Sequence, residues 1–589
     1  MKQKQIKVPA ITPVSNKGPR NAFDLSQRHL FTAPVGALLP VQCTELMPGD
    51  HVSMKITDFM RVMPCNSAAF IDCKGSYETF FVPFSQLWKP WNQFITSMQD
   101  YNSTLLANKN MISGSAVPPY LLPTADLAQF GKYINETMQA GITDEFGYKL
   151  SYGFNRLVDL LGYGKMYKSD GSKLWDAVNS PYPSVVTINL FRFLAYQKIY
   201  QDVYRNTQYE KFDVGSFNID DFNSGLNSLT DDDRLRRMFS LRYRNYGLDL
   251  LSNIRPSVLV DAYSAQSVSA LQPNVYQTWG EAFPNVVNDA GSVPQNGTVD
   301  NKIDDVIMSH IDASGDFSIR SLRAAFAYQN LLDTMGRAPK TYKDQMKAIF
   351  GVDVPMGMEG KVQYVGGVDS SFQFGDVTNT AISASDTTAS SPYNNGLGAS
   401  VVKGVASGSG YMEFDAPIHG VLMTIYSVIP QNQYDSTRLD PFNQKKSRSD
   451  YFLPQYDHLG MQPLYQSAVT MRNSSLVGST KVNQSLTRAL GWQPRYSEYK
   501  TAIDINHGQF TDDGPLKFYT SDRSRGTTQQ DWTWLTDLHL RDLKINPNIF
   551  DSVFKVAYNG KETTDPFYGS VQFNITKVSN MDRQSMPNV

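Results

Sequence analysis

Apolar and polar residues alternate through Val52, Met54 and Ile56, just after the turn signal Pro48-Gly49-Asp50. A period of two predicts a half-buried strand. The aromatic segment 76–84, with Tyr77, Phe80, Phe81 and Phe84, predicts a second strand, which Pro83 should end or confine to an edge because proline brings no N–H to a ladder. Gly420 to Ile429 is almost continuously apolar and predicts a strand buried on both faces. Val571, Phe573 and Ile575 alternate again, and Phe550 to Tyr558 is a further candidate. Strands at both chain ends predict one sheet system closed by sequence-distant partners.

Helical spacing is rarer and clusters between residues 125 and 350. Leu190, Phe193, Leu194, Tyr200 and Tyr204 predict a helix over 188–205, and Ile319, Leu322, Phe326 and Leu332 another over 318–335. A third, at 342–350, has readable ends. Thr341 is a good N-cap, Asp344 follows in a capping-box-like position, and Gly351 stops the helix. Aromatics on these faces are read as packing. Residues 257–315 and 366–410 are rich in Ser, Asn, Gly and Thr, and are expected to be polar surface insertions.

Charge separates the first 30 residues from the rest. Lys2, Lys4, Lys7, Lys17, Arg20 and Arg28 face only Asp24 there, and prolines stand at 9, 13 and 19, so this segment is expected to be an extended basic arm. Such an arm suits phosphate or a neighbouring subunit. Over the whole 589 residues, Lys+Arg 54 balance Asp+Glu 56, which excludes a uniformly basic coat for nucleic acid. Hydrophobic residues at 41% exclude disorder, and a length prior suggests several domains unless one large β architecture carries long insertions. Cys43, Cys65 and Cys73 lack zinc spacing and suit buried thiols in a reducing compartment. No signal peptide and no membrane-length apolar run occurs, so a soluble protein outside the general export route is expected.

Candidate chemistry is sparse. Gly-x4-Gly-Lys-[Ser/Thr], Gly-x-Ser-x-Gly and His-Glu-x-x-His are all missing, and the seven histidines stand singly, so no enzyme activity, cofactor or metal is expected. Glu413 and Asp415 fall two apart on a strand-like segment, which suits acid–base partners but suits a solvated strand face better. Asp231, Asp232 and Asp233 lead into Arg234, Arg236 and Arg237, as acids at a helix start followed by cations. Those arginines, with Arg242 and Arg244 interleaved by Tyr243 and Tyr246, are the internal candidates for nucleic acid. Guanidinium and tyrosine together grip phosphate and stack on bases, although they also anchor subunit interfaces.

The opening run Phe23-Asp24-Leu25-Ser26, His29 to Gly36 and Leu39-Pro40-Val41 resembles the start of major capsid proteins of microviruses, small single-stranded-DNA bacteriophages, in their gokushovirus and alpavirus-like branches. The resemblance continues through Pro48-Gly49-Asp50, Met63-Pro64-Cys65-Asn66, Phe80 to Phe84 and Leu87-Trp88. It returns at Leu322 to Phe326 with Gln329, at Gly351-Val352, at Ala406 to Gly410 and at Gly491 to Tyr499. The stretch Asp333 to Lys340 departs from the Arg/Gly-rich turn of gokushoviruses and favours the alpavirus-like branch.

The resemblance implies a mainly β fold, an eight-stranded viral jelly-roll barrel with large helix- and loop-containing insertions. It also implies copies assembled as an icosahedral capsid in a virion around a circular single-stranded DNA genome, made in the bacterial host cytoplasm. Other virion proteins would be partners. On this view residues 31–589 form one domain, 257–315 is the candidate surface projection with 366–410 second, and a host receptor or glycan would meet the projecting loops. The competing expectation is a secreted carbohydrate-binding or glycan-cleaving β-sandwich, with Trp532 and Trp534 stacking on sugars.

Overall fold

The computed structural model describes residues 20–62, 72–95, 124–168, 186–220, 232–255, 360–379, 400–469, 489–516, 544–547 and 557–581, some with gaps of one to four residues, and a few positions besides. Strand β4 (His51–Val62) shows how the pattern becomes structure. Its even-numbered residues from Val52 to Val62 are buried and its odd-numbered ones are exposed or half-buried. That strand lies in a six-stranded antiparallel sheet with β1 (Asn21–Asp24), β2 (Gln27–Ala33), β9 (Gln373–Asn379), β10 (Ser400–Asp415) and β18 (Phe567–Ser579). The order is β1-β18-β4-β10-β9, with β2 also on β18. A four-stranded antiparallel sheet runs β3-β11-β5-β8, with β3 at Leu39–Leu46, β5 at Cys73–Pro83, β8 at Gln363–Ser371 and β11 at Gly420–Pro430.

Short ribbons lie outside these sheets. They pair β6 (Thr124–Asp126) with β7 (Thr187–Asn189), β12 (Gln433–Asp435) with β15 (Asp504–Asn506), β13 (Met461–Tyr465) with β14 (Ala489–Pro494), and β16 (Ala557–Tyr558) with β17 (Glu562–Thr563).

The two large sheets face each other across a buried core. Phe81 of β5 meets Phe414 of β10 with ring centroids 4.9 Å apart, and Phe31 of β2 meets Tyr426 of β11 at 5.1 Å. Every residue of β11 except Ile429 is buried, because both of its faces are covered. Burying one such Val, Leu or Ile side chain contributes about 1.5–3 kcal/mol, so this strand anchors the fold. Pro83 does end β5, yet that strand lies inside its sheet. The proline holds the last ladder position, so no interior N–H is lost, and the next N–H, of Phe84, donates to the His419 carbonyl at 3.2 Å.

Most helices fill the long connection from β5 to β8: α1 (Phe84–Leu87), α2 (Trp91–Ile95), α3 (Ala128–Gln139), α4 (Leu150–Leu160), α5 (Phe191–Ile199) and α6 (Asp232–Phe239). A short α7 (Gln466–Val469) lies between β11 and β18. Phe130, Phe154, Phe193 and Phe239, one from each of α3 to α6, form an aromatic knot with centroids 4.7–5.8 Å apart. The expected packing role of helix aromatics therefore holds here. The helix expected over 188–205 is α5, continued by a π-helical turn at Tyr200–Tyr204 whose end is marked by the Arg205 N–H on the Tyr200 carbonyl at 2.8 Å. Residues 347–349 are helical, and Gly351, at φ +68°, donates to the Lys347 carbonyl at 2.9 Å, as a helix-stopping glycine should.

Two boundaries need correction. Within 366–410, expected as polar loop, the described residues 366–379 and 400–410 are almost all strand, covering most of β8, all of β9 and the first part of β10, while 380–399 lie outside the described residues. The basic arm, expected to reach residue 30, gives way to sheet at Asn21, where β1 pairs with β18. Residues 257–315, most of 318–335 and most of 550–558 lie outside the described residues.

Candidate nucleic-acid interface

The sequence-predicted cations fall into two groups on different elements. Lys2, Lys4, Lys7 and Lys17 lie outside the described residues. Arg20 is exposed and donates to the Gly49 carbonyl at 2.8 Å. Arg28 is exposed on β2, where its Nε donates to Ser570 Oγ of the neighbouring β18 at 2.7 Å.

Part of the second group is drawn into the protein. Arg234 lies on α6, and its side chain is outside the described residues. Arg236 is half-buried on the same helix, and Arg237 reaches Asp213 at 3.5 Å. Arg242 donates from Nε to Gln197 at 2.8 Å and from Nη2 to the Arg237 carbonyl at 2.9 Å, with its guanidinium 4.9 Å above the Tyr200 ring. Arg244 makes a two-pronged pair with Glu78 of β5, at 2.9 and 3.2 Å, and also donates to Ser427 of β11 at 3.1 Å. Tyr204 donates to the same Glu78 carboxylate. Burial first, and the Glu78 charge second, push the Tyr204 phenol well above its ordinary range, so it stays a donor.

Backbone bonds make 242–244 a strap. The Leu38 N–H donates to the Arg242 carbonyl at 2.9 Å, the Arg244 N–H to the Gly36 carbonyl at 2.8 Å, and the Ile545 N–H to the Arg244 carbonyl at 2.8 Å. Tyr196 of α5 bridges into it, donating its hydroxyl to the Leu38 carbonyl and accepting from the Arg242 N–H, both at 2.9 Å. Tyr243 and Tyr246 are buried, so the alternating Arg/Tyr run does not present a stacking surface. Its tyrosines are buried, Arg244 clamps the insertion onto the four-stranded sheet through Glu78 and Ser427, and Arg242 ties α5 to α6 through Gln197 and Arg237.

Sequence reasoning missed the ion pairs that join insertions to sheets. Arg156 of α4 binds Asp565, just ahead of β18, and also reaches the carbonyl and hydroxyl of Thr32 on β2. Burial alone would raise the Asp565 pKa, but the Arg156 charge and the bonds from Arg156, Thr32 and Tyr152 outweigh it and hold the carboxyl below its ordinary value. Lys577 of β18 similarly meets buried Asp50 at 2.9 Å. These partners are hundreds of residues apart, and no local pattern announces them. Glu413 and Asp415 are exposed on β10, with His51 bound to Asp415 at 2.8 Å, which is the solvated strand face expected. Among the described residues no cluster of three potential metal ligands occurs, and no helix is long and apolar enough to cross a membrane. Cys43 is partly buried, and desolvation of its thiol, outweighing the opposing Arg192 charge, pushes it up to about 12, so it stays protonated.

A family model described as Capsid protein (F protein) matches residues 13–128 and 170–589, which together cover most of both sheets and both insertions. The chain belongs to this family of phage capsid proteins. It is also 23% identical over 527 residues to Capsid protein VP1 of Chlamydia phage 1, covering 82% of each chain. Both findings agree with the resemblance carried by the opening block, and the protein is a structural major capsid protein of the microvirus kind. The family points to structural work, so Arg242, Arg244 and Arg156 are understood here as fasteners of a shell subunit. The secreted sugar-binding alternative gains no support, and Trp532 and Trp534 lie outside the described residues.

Proposed function

We propose that this capsid protein is built on a viral jelly roll and closes, copy against copy, into a small icosahedral shell around a circular single-stranded DNA genome. The carrying observation is the pairing order of eight strands: β2, β3, β4, β5, β8, β10, β11 and β18. The first pairs with the last, the second with the seventh, the third with the sixth and the fourth with the fifth. That is one long antiparallel hairpin. It is rolled so that β18 also meets β4 and β11 also meets β5. A hairpin rolled in this way gives a double-sheet jelly roll. The long excursions between β5 and β8 and between β11 and β18 fit the same plan, since loop-closure cost grows only slowly with length.

Assembly then needs no covalent chemistry, only repeated burial of self-complementary surface. The basic segment before β1 neutralises genome phosphate, the insertion at 257–315 is the surface projection, and a host receptor or glycan meets it there. Other virion proteins join the finished particle. The test is sedimentation and negative-stain electron microscopy of the purified chain across salt and pH. Closed shells support the proposal, and monomers under every condition overturn it.

A further inference from the structure

One broad surface has no role so far: the outward face of the six-stranded sheet. Its inward face is the core. The cross-strand register lays out the other face row by row. Arg61 of β4 stands beside Tyr568 of β18, Phe59 beside Ser570, Thr57 beside Gln572, and Lys55 beside Tyr411 of β10. Arg28 of β2 stands on the far side of Gln572. Arg28, Lys55 and Arg61 are exposed and make no ion pair with any described residue. Phe59 and Tyr411 are 43% and 63% exposed, unusual for large rings on a bare sheet face, and the Arg61 guanidinium lies 4.9 Å over the Phe59 ring.

Charge along this face is segregated. Between Arg61 and Lys55 the outward positions of the four central strands carry hydroxyls, amides, apolar groups and rings, with no acid. Acids begin at the Tyr411 end of that stretch, with Glu413, whose carboxylate accepts from the Tyr411 hydroxyl, and continue with Asp415 and Asp24. At a rise of about 3.4 Å per residue, the cationic part runs about 20 Å along β4. The basic opening segment, with Lys2, Lys4, Lys7 and Lys17, joins the chain just ahead of β1, a strand of this same sheet.

Unpaired cations beside exposed rings are the chemistry that holds single-stranded nucleic acid, because phosphates take the cations and any base can stack on a ring. We infer that the cationic part of this sheet face is a docking platform for single-stranded DNA, with Arg28, Lys55 and Arg61 on phosphates and Phe59 and Tyr411 under bases. The inference rests on the capsid reading and adds to it a surface, distinct from the 234–244 cluster, that faces the genome. The period-two pattern of β4 places Lys55, Phe59 and Arg61 on one face, so this signal lies in the sequence once the strand is known.

The test uses unassembled full-length protein and a short fluorescein-labelled oligothymidylate, with binding measured by anisotropy across salt. Each phosphate contact on a single strand contributes about 0.7 to the log–log salt slope. Replacing all three cations (Arg28→Gln, Lys55→Gln, Arg61→Gln) should therefore flatten the slope by about 2 and weaken binding about a hundredfold at about 0.1 M salt. The charge-preserving triple Arg28→Lys, Lys55→Arg, Arg61→Lys should keep both, which separates charge from folding defects. Lys446→Gln with Arg448→Gln, exposed cations on the β11–β18 insertion, should change neither. Unchanged affinity and slope in the glutamine triple overturn the platform. Lost assembly with unchanged DNA affinity also overturns it, assigning the face to a contact between copies. Wild-type chains that never form shells would instead sink the capsid proposal.

Discussion

Replacing Arg156 with methionine isolates the energetics of the joint between α4 and the six-stranded sheet. The Arg156 and Asp565 side chains are each only 12% exposed. The substitution keeps much of the side-chain volume and strands the Asp565 carboxylate among Thr32 and Tyr152. Removing one partner of a buried pair costs about 3–5 kcal/mol, far above the value of about 0–1 kcal/mol for a surface pair. Unfolding entropy of about 2.1 cal/mol/K per residue converts that cost, over a chain of 589 residues, into a melting shift of about 2–4 °C. Differential scanning calorimetry of the unassembled chain reads it. Arg156→Met with Asp565→Leu should recover most of the loss, since a well-packed apolar pair often replaces a buried ion pair at little cost. A single variant that melts within about 1 °C of wild type, or a double variant as unstable as the single, would refute this account of the joint.

Tyr196→Phe should cost about 1–3 kcal/mol, because it leaves the buried Leu38 carbonyl and Arg242 N–H without their shared hydroxyl; chemical denaturation measures it, and a loss under about 0.5 kcal/mol would count against the strap. Asp58 lies buried between the sheets, accepting from Ser370 at 3.0 Å, and burial raises its pKa despite the bonds it receives. With the folded value above the unfolded one, its contribution is present at low pH and is lost as pH rises through the folded value. Asp58→Asn should therefore flatten the fall in stability above the ordinary Asp range of about 4, and an unchanged pH profile would contradict this. Asp565 and Asp50 have the opposite sign: their lowered values supply stability above about pH 4 that is lost as acid protonates them, so subunit melting should fall on acidification. Gly420→Ala should destabilise by about 1–3 kcal/mol, because its Cβ would stand 2.4 Å from the Val82 carbonyl oxygen, and an unchanged melt would show that the sheet yields there.

Local pattern carried the strands with one or two apolar faces. β4, β11 and β18 were legible because alternation or continuous apolarity reports burial directly. The misread stretch at 366–410 shows the limit. Its glycines suggested loop, yet a Cβ on Gly410 would stand 2.3 Å from Val368 of the facing sheet, and one on Gly408 would stand 3.1 Å from Ser370 of that same facing sheet. Small residues there let two sheets approach, and only the partner strand reveals that reason. The ion pair of Arg244 was hidden in the same way, since its partner Glu78 lies 166 positions away. The resemblance implied the mainly β fold that such long-range pairings conceal, and the two large antiparallel sheets agree with it.

The most direct measurement is a cryo-electron-microscopy reconstruction of particles assembled from this chain. The account predicts an icosahedral shell whose subunits carry the β2-to-β18 rolled hairpin, with the Arg28–Lys55–Arg61 face turned toward the DNA. A closed shell with that face turned outward, or no closed assembly at all, would contradict it.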